Sequence, residues 1–364
     1  AACAEPVRAW QTRTVLSPRT TSGSAFGAAV AETQSSAVES AAAAALYTLI
    51  IEVYVYKDLT WRKVLTVAKN AMGAGIDVIG IEDGYLGLIE DRFCPLKRDD
   101  VSNILTLGGT ILGSCNKANP SSYAVRQDGK WVMKDVRDQV IKHYKKAGLD
   151  ALVVIGGDGT MSGAAKLIDA GMSIVGVPKT IDNDLWGSDV TFGHDTAVTT
   201  ASDALDKVHT TASSHHRVMV VEIMGRYAGW LALNAGVASG ADVILIPEIA
   251  FDIEKVAAKC VERSKIGNRF TIIAAAEAAK QAGGKMFIDH INEASPDPIR
   301  LGGVAKFVSD QVEKITGIES RSIVLGHIQR GGPPTPRDRL LATGFGHHAM
   351  CLVHKGSFGR VVIK

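Results

Sequence analysis

The sequence predicts an α/β protein with mostly parallel sheets, and two patterns carry this prediction. Short apolar runs rich in β-branched residues recur along the chain, and longer segments with helical periodicity separate them. Strands and helices that alternate in this order form parallel sheets covered by helices. Many of the 37 glycines also come directly after a predicted strand, at the sheet edge where open α/β proteins bind their ligands.

The predicted strands are four to six residues long, nearly all apolar, and bounded by Gly, Pro or charged residues, as buried strands are. They are Ile76–Ile81, Ala151–Ile155, Ser173–Val177, Val218–Glu222, Asp242–Ile246, Thr271–Ala274 and Ser322–Leu325.

The predicted helices place apolar residues on one face and charged residues on another. Within Val136–Ala147, for example, Val140 and Tyr144 share a face and Lys142 lies on another. The same pattern predicts helices over Asp195–Ala212, Asp252–Lys265, Gly303–Lys314 and Pro336–His354.

Length and charge restrict the possible functions. The chain has 364 residues, enough for two or three domains. Its 40 Lys and Arg nearly balance its 38 Asp and Glu, so the formal net charge is +2. Bulk attraction to nucleic acid or to a membrane surface is therefore excluded as the main basis of binding. The longest apolar stretch, Ala41–Ile51, has 11 residues, whereas a membrane-spanning helix needs about 20.

The five cysteines are widely spaced and form no CxxC pair. This predicts reduced thiols in a cytoplasmic protein rather than a disulfide framework or a zinc site.

Residues 1–60 are expected to form a separate, divergent N-terminal segment of low complexity, because Ala, Ser and Thr dominate it. Its Arg, Ser and Thr content with few acidic residues is also that of a transit peptide, and both interpretations stay open.

A glycine loop, Gly156-Gly157-Asp158-Gly159-Thr160, follows the second predicted strand. Glycines there let backbone amides and the positive end of the next helix approach a phosphate group. Asp158 could hold a magnesium ion bound to such phosphates. A tight turn with a capping residue is the plainer interpretation, and the Gly-Lys-Ser/Thr ending of a Walker loop is absent. The position at a strand end favours phosphate binding.

A second polar loop follows the next strand and reads PKTIDND over residues 178–184. Asp182 and Asp184 are two residues apart, so one can take a proton from an alcohol while the other binds a cation. Thr180 offers a hydroxyl and Lys179 a positive charge to a phosphoryl group. A polar turn is the alternative interpretation, because Asp and Asn are common turn residues. The glycine loop in the preceding βα unit favours a functional role instead.

The motif MGRYAG, at 224–229, also follows a strand. Gly225 permits a close backbone approach, and Arg226 can stabilise charge on phosphoryl oxygens.

The fourth motif, RSIVLGHIQRGG at 321–332, contains Arg321, His327 and Arg330. We expect these three side chains to converge on a sugar phosphate. A surface charge cluster is the alternative, and the surrounding glycines favour a functional loop.

These motifs, in this order and spacing, resemble those of the bacterial-type 6-phosphofructokinases, which use ATP or pyrophosphate. GGDGT alone also occurs in diacylglycerol and NAD kinases, but PKTIDND, MGRYAG and LGHIQRGG together are highly specific. The resemblance spans about residues 70–360 and includes 79–87 and 108–114. It implies two Rossmann-like domains with the active site between them, and phosphoryl transfer from Mg-ATP to the 1-hydroxyl of fructose 6-phosphate.

The resemblance also implies a domain plan. Residues 61–195 are expected to form the larger domain on the phosphoryl-donor side, and 196–335 the smaller domain on the sugar-phosphate side. A C-terminal helix and strand, 336–364, are expected to return to the first domain.

The resemblance further implies roles for single residues. Asp182 is the expected general base, Thr180 contacts the transferred phosphoryl group, Arg226 stabilises the transition state, and Asp158 and Asp184 lie at the magnesium ion. The residues expected to bind the sugar phosphate are Met224, Gly225, Glu277, Arg321, His327 and Arg330. The residues expected to bind the donor are Tyr85, Lys117, Gly157, Asp158, Gly159, Thr160 and Lys179.

Arg217 is expected to reach the site of a neighbouring subunit. This implies a homo-oligomer, a tetramer with shared active sites.

The N-terminus departs from the family pattern. A helix over Trp61–Met72 fits the family, but the glycine loop that precedes it there is absent from Glu52–Thr60. A catalytically weak regulatory paralogue is therefore an alternative, although the implied catalytic residues are intact.

The phosphoryl donor depends on two positions. The chain combines Gly159, typical of ATP-dependent members, with Lys179, typical of pyrophosphate-dependent ones. An Asp in place of Gly159 would crowd the α-phosphate of ATP. Because steric exclusion is the stronger effect, Gly159 should decide the choice of donor rather than Lys179. ATP is the predicted donor and pyrophosphate the alternative.

Overall fold

The computed structural model describes residues 11–14, 48–53, 61–292, 295 and 297–364. The strands in these ranges are β1 (Gln11–Thr14), β2 (Thr48–Val53), β3 (Asp77–Ile81), β4 (Phe93–Pro95), β5 (Tyr123–Gln127), β6 (Lys130–Lys134), β7 (Ala151–Gly156), β8 (Ile174–Thr180), β9 (Phe192–Gly193), β10 (Val218–Ile223), β11 (Val243–Leu245), β12 (Thr271–Ala276), β13 (Ile288–Ile291), β14 (Ile299–Leu301), β15 (Ser320–Val324) and β16 (Arg360–Ile363).

The helices in the same ranges are α1 (Trp61–Gly73), α2 (Tyr85–Glu90), α3 (Arg137–Lys146), α4 (Asp158–Asp169), α5 (His194–His215), α6 (Trp230–Ala238), α7 (Ile253–Lys265), α8 (Val304–Thr316) and α9 (Pro336–His354). Each predicted strand and helix is confirmed, with ends that shift by at most three residues. Among the helices so described, none is long and apolar enough to cross a membrane.

The larger sheet has eight strands in the order β1-β16-β8-β7-β2-β3-β4, and β9 pairs with β8 outside this path. Its pairs are parallel except for β1 with β16 and β3 with β4. Helices α1 and α9 pack on one face, and α2, α3 and α4 pack on the other. The sheet is buried on both sides, which explains its continuous apolar strands.

The smaller sheet has the order β11-β12-β10-β15, and its strand pairs are parallel. Helices α5 and α6 cover one face, and α7 and α8 cover the other. The predicted α/β class with mostly parallel sheets is therefore confirmed.

The register brings the sequence motifs together. Gly156 at the end of β7 pairs with Pro178 of β8, so the glycine loop and the 178–184 loop leave the sheet side by side. Ile223 at the end of β10 pairs with Ala276 of β12. These carboxyl edges are where open parallel sheets bind ligands.

The two sheets are joined around the start of α5. Ile181, just after β8, is 5% exposed and packs into the core formed by α5, α6 and the smaller sheet. Asp338 of α9 accepts hydrogen bonds from the backbone N–H and the hydroxyl of Thr196 in α5, at 2.9 and 2.6 Å.

Several elements had no clear sequence pattern. Strand β2 lies inside the segment 1–60 and occupies the centre of the larger sheet between β7 and β3. Helix α6 and the hairpins β5–β6 and β13–β14 were also not predicted. Residues 54–60, where the family's glycine loop is missing, lie outside the described residues.

Candidate active site

The glycine loop ends β7 and begins α4. Gly157 is the N-cap of α4 in an extended conformation, and Asp158 begins the first turn. Asp158 and Gly159 are exposed, and a Cβ added to Gly159 would meet no atom within 4 Å. The positive end of the helix and its first amides therefore face open space, as a phosphate site requires.

Tyr85 and Thr160 support this loop from inside the protein. Tyr85 is 1% exposed, and its hydroxyl donates a 2.8 Å hydrogen bond to the Thr160 carbonyl. Its ring lies against Gly163, where a Cβ would come within 2.9 Å of the ring. Tyr85, expected to bind the donor, therefore lies in the core beneath α4 and supports the loop from below.

The 108–114 segment, one of those that the family resemblance includes, lies near Tyr85. The backbone N–H of Asp83 donates to the carbonyl of Leu112 at 2.7 Å, so the 79–87 and 108–114 segments lie together. Lys117, three residues beyond the second segment, is exposed.

The loop after β8 is closed by its own side chains. The amide oxygen of Asn183 accepts from the Thr191 N–H at 2.7 Å, and the Thr191 hydroxyl donates to the Thr180 carbonyl at 2.9 Å. Asn183 has φ 54°, an unusual backbone conformation for a residue other than glycine. Such strain persists only where surrounding bonds enforce it. Neither Asn183 nor Thr191 was predicted as a site residue, although Asn in a turn is a recognisable signal.

The two loops meet at Gly157. A Cβ at this position would lie 3.3 Å from the Cβ of Thr180. Lys179 and Thr180 are buried, at 4% and 8% exposure. The Thr180 hydroxyl accepts a 3.1 Å hydrogen bond from the Asp182 N–H, which sets the start of the polar turn.

Three carboxylates share this corner. Burial raises the pKa of Asp182, and the charge of Arg330 lowers it. Desolvation by the surrounding protein raises the pKa of Asp184 to about 6, and the charges of Asp182 and Asp158 contribute to the rise. A corner with this much negative charge favours a bound cation.

A magnesium ion fits the chemistry of this donor set. Asp158 and Asp184 supply two carboxylates on neighbouring loops, and magnesium in phosphoryl-transfer sites is usually held by one or two carboxylates and the substrate phosphates. No cluster of three or more His, Cys, Asp or Glu side chains able to hold a metal occurs in the described part of the chain.

The opposite wall comes from the smaller sheet. Glu277 follows β12 and accepts hydrogen bonds from the N–H groups of Gly225 and Arg226, at 3.3 and 2.8 Å. Gly225 has φ 152°, and a Cβ there would come within 2.6 Å of the Ala228 carbonyl, so the turn requires glycine. Arg226 itself has φ 55°.

The Arg226 guanidinium is held by the β13–β14 hairpin. It donates to the Ile299 carbonyl at 3.0 Å, pairs with Asp297, and lies 4.9 Å above the Tyr227 ring. The start of the 224–229 motif is fixed by Gln329, whose amide oxygen accepts a hydrogen bond from the Met224 N–H at 2.9 Å. Gln329 is 1% exposed, and sequence analysis did not single it out.

Arg330 links the two walls. It ends a 3₁₀ turn, Gly326–Arg330, that follows β15. Its charge acts on Asp182 of the facing loop. His327 lies in the same turn and is exposed.

Arg321 does not join this group, and the convergence predicted for it is wrong within one chain. It is paired with Met219 near the start of the parallel strands β15 and β10. It lies instead with Arg217, and both arginines form ion pairs with Glu319. The reason is geometric, because a residue near the start of a parallel strand is separated from the carboxyl edge by most of the strand's length.

A cleft of about 700 Å³ opens behind the 180–191 loop. Its walls include Trp186, Trp230 and Arg337, none of which the motifs had indicated. His194, the first residue of α5, also lines it.

The parallel α/β fold, the glycine loop at a helix N-terminus, the paired carboxylates and the facing arginines define a phosphoryl-transfer enzyme. The sequence model of the family described as phosphofructokinase matches residues 62–353. The chain belongs to the phosphofructokinase family.

Known relatives are similar over most of the chain. An ATP-dependent 6-phosphofructokinase 2 of Clostridium perfringens is 52% identical over 290 residues, which cover 79% of each chain. A pyrophosphate–fructose 6-phosphate 1-phosphotransferase of Streptomyces coelicolor is 46% identical over 297 residues, 81% of this chain and 83% of the relative.

A solved structure has the same fold. The phosphofructokinase of Saccharomyces cerevisiae superposes with a TM-score of 0.70 at 30% identity and covers 85% of this chain. This chain spans 42% of the length of that yeast chain.

Proposed function

We propose that this protein is an ATP-dependent 6-phosphofructokinase that transfers a phosphoryl group from Mg-ATP to the 1-hydroxyl of fructose 6-phosphate. The observation that carries the proposal is the contact of the two loops at Gly157 and Thr180, close enough to the wall of Glu277 and Arg226 for the charge of Glu277 to act on Asp182. The similarity to the Clostridium perfringens enzyme supports the same reaction.

On the donor side, the amides at the start of α4 would bind the phosphates of ATP. Lys117 and Lys179 would contribute positive charge, and Asp158 and Asp184 would hold the magnesium ion that neutralises the developing charge. Tyr85 and Thr160 would act from beneath, by fixing the loop.

On the sugar side, Asp182 would take the proton from the 1-hydroxyl. Two opposed effects act on the pKa of Asp182: burial raises it, and the charge of Arg330 lowers it. Arg330 thereby favours the ionised form that a general base needs. Glu277, Met224 and Gly225 would line the sugar, and His327 and Arg330 would bind its phosphate.

Arg226 would stabilise the transferred phosphoryl group. Its ion pair with Asp297 and its bond to Ile299 hold the guanidinium in place before substrate arrives. Thr180 would contact the same group through its hydroxyl, which lies beside Gly157.

Pyrophosphate as the donor is a second candidate, since Lys179 and the Streptomyces coelicolor relative favour it. The open space around Gly159 favours ATP, because an α-phosphate fits where no side chain stands. Purified protein should phosphorylate fructose 6-phosphate much faster with Mg-ATP than with Mg-pyrophosphate, and Gly159→Asp should weaken ATP use. Robust activity with pyrophosphate alone would overturn the choice of donor.

The domain plan and location are part of the proposal. Residues 61–195 together with β2 would form the donor domain and 196–335 the sugar-phosphate domain, with 336–364 returning to the first. The position of β16 beside β8 supports that return. The free thiols of Cys94, Cys115, Cys260 and Cys351 suit the reducing cytoplasm.

A further inference from the structure

His194 is bonded to the backbone of the loop that carries Asp182. Its Nδ1 lies 2.6 Å from the carbonyl oxygen of Ile181, the residue before Asp182. Because a carbonyl oxygen only accepts, the Nδ1 of His194 must carry the hydrogen.

The other ring nitrogen is bonded as well. Nε2 of His194 lies 2.8 Å from Nδ2 of Asn234, an amide nitrogen that only donates. The ring is therefore the neutral tautomer that donates at Nδ1 and accepts at Nε2. Burial lowers the pKa of His194 and so favours this neutral form, against the opposite effect of Asp338 and Asp195.

These two bonds connect the walls of the site. Asn234 lies in α6, which begins four residues after the turn of Arg226. Ile181 packs its side chain into the core beneath α5 and α6, while its carbonyl receives the His194 bond. The ring thus bridges the loop of the proposed base and the helix that follows the proposed transition-state arginine.

We propose that His194 is a positioning residue that fixes Asp182 relative to the Arg226 turn through hydrogen bonds from both ring nitrogens. This inference rests on the proposed function, because it concerns the base of that reaction. The ring touches no reacting atom and acts through the Ile181 backbone. Proton transfer demands hydrogen-bond reach between base and alcohol, and a displacement of about 1 Å can cost roughly 10²-fold in rate.

Two substitutions separate the hydrogen bonds from the shape of the ring. His194→Phe keeps an aromatic ring and removes both bonds, whereas His194→Gln loses the ring but can donate to Ile181 and accept from Asn234. We expect His194→Phe to lower kcat about tenfold, with KM for fructose 6-phosphate within about threefold of the parent. We expect His194→Gln to retain at least half of the parent kcat. Parent-like kcat in the Phe variant, or equal loss in both variants, would overturn the inference.

A third substitution works even where a His194 variant fails to fold. Asn234→Leu removes the hydrogen-bond partner of the His194 Nε2, and Asn234 is exposed, so the change should not prevent folding. We expect a selective fall in kcat of about threefold. An unchanged kcat would overturn the link to α6. Thr199→Ala changes an exposed residue of α5, the helix that His194 begins, and as the control it should keep the parent kcat.

Asp182→Asn in the same assay distinguishes this inference from the proposed function. If Asp182→Asn also keeps a parent-like kcat, the proposed base is wrong and His194 has no base to position. If Asp182→Asn is inactive while His194→Phe is parent-like, only the role of His194 fails.

Discussion

At the scale of single residues, the candidate active site combines opposed electrostatic effects. Burial raises the pKa of Asp182 and of Glu277, and the charge of Arg330 lowers both. The ionised form of such a carboxyl is poorly solvated, which suits a base that must accept a proton. The same burial means that the charge costs folding free energy.

Asp182→Asn tests both consequences. The proposed reaction loses its base, so kcat should fall by roughly 10²–10⁴-fold, while KM for fructose 6-phosphate changes far less. Because the amide is uncharged, the variant should unfold at a higher temperature than the parent at pH 7.5. Steady-state kinetics and scanning calorimetry measure the two effects, and a kcat near that of the parent would show that Asp182 is not the base.

At the scale of elements, α5 is anchored by a side chain from another helix. Its N-cap is Gly193, which offers no side-chain bond, and the Thr196 N–H is instead bonded to Asp338 of α9. Thr335 completes the junction by donating from its hydroxyl to Asp195 at 2.6 Å. This polar junction fixes the start of α5, and with it His194 and the 180–191 loop.

Asp338→Ala should therefore destabilise the protein. The change leaves the buried N–H and hydroxyl of Thr196 without their partner, which costs about 1–3 kcal/mol, so the unfolding temperature should fall by several degrees. Arg337→Ala is the matched control, since Arg337 is 72% exposed and makes one long ion pair at 3.8 Å; it should change stability by less than about 0.5 kcal/mol. Equal unfolding temperatures for the two variants would contradict the junction.

At the scale of the whole molecule, two arginines lie on the wrong edge to serve their own site. Arg217 precedes β10 and Arg321 lies beside Met219, whereas Arg226 follows the other end of β10. A strand of six residues separates the two edges by about 20 Å. If either arginine binds a sugar phosphate, as the family resemblance implies, it would have to do so in the site of a neighbouring subunit of the expected homotetramer.

Complementation tests the shared site. Arg217→Ala should raise KM for fructose 6-phosphate by roughly 10–100-fold, because a charge-assisted bond to phosphate is lost. Mixing it with the inactive Asp182→Ala variant and reassembling the subunits should restore sites that contain both an intact Asp182 and an intact Arg217. A reassembled mixture no more active than its separate parents would contradict the shared site.

The sequence by itself determined the alternation of the main buried strands with helices and the placement of the four motifs after strands. Both follow from local patterns, because apolar periodicity and glycine at a strand end are properties of neighbouring residues. The tertiary structure alone decided that Tyr85 lies beneath the donor loop, that Arg321 lies at the far edge, and that β2 fills the centre of the larger sheet. It also decided the bonds of His194 to Asn234 and of Thr196 to Asp338, which join residues 40 and 142 positions apart. Register, packing and such distant hydrogen bonds depend on how whole elements meet, and no local pattern of residues contains that information.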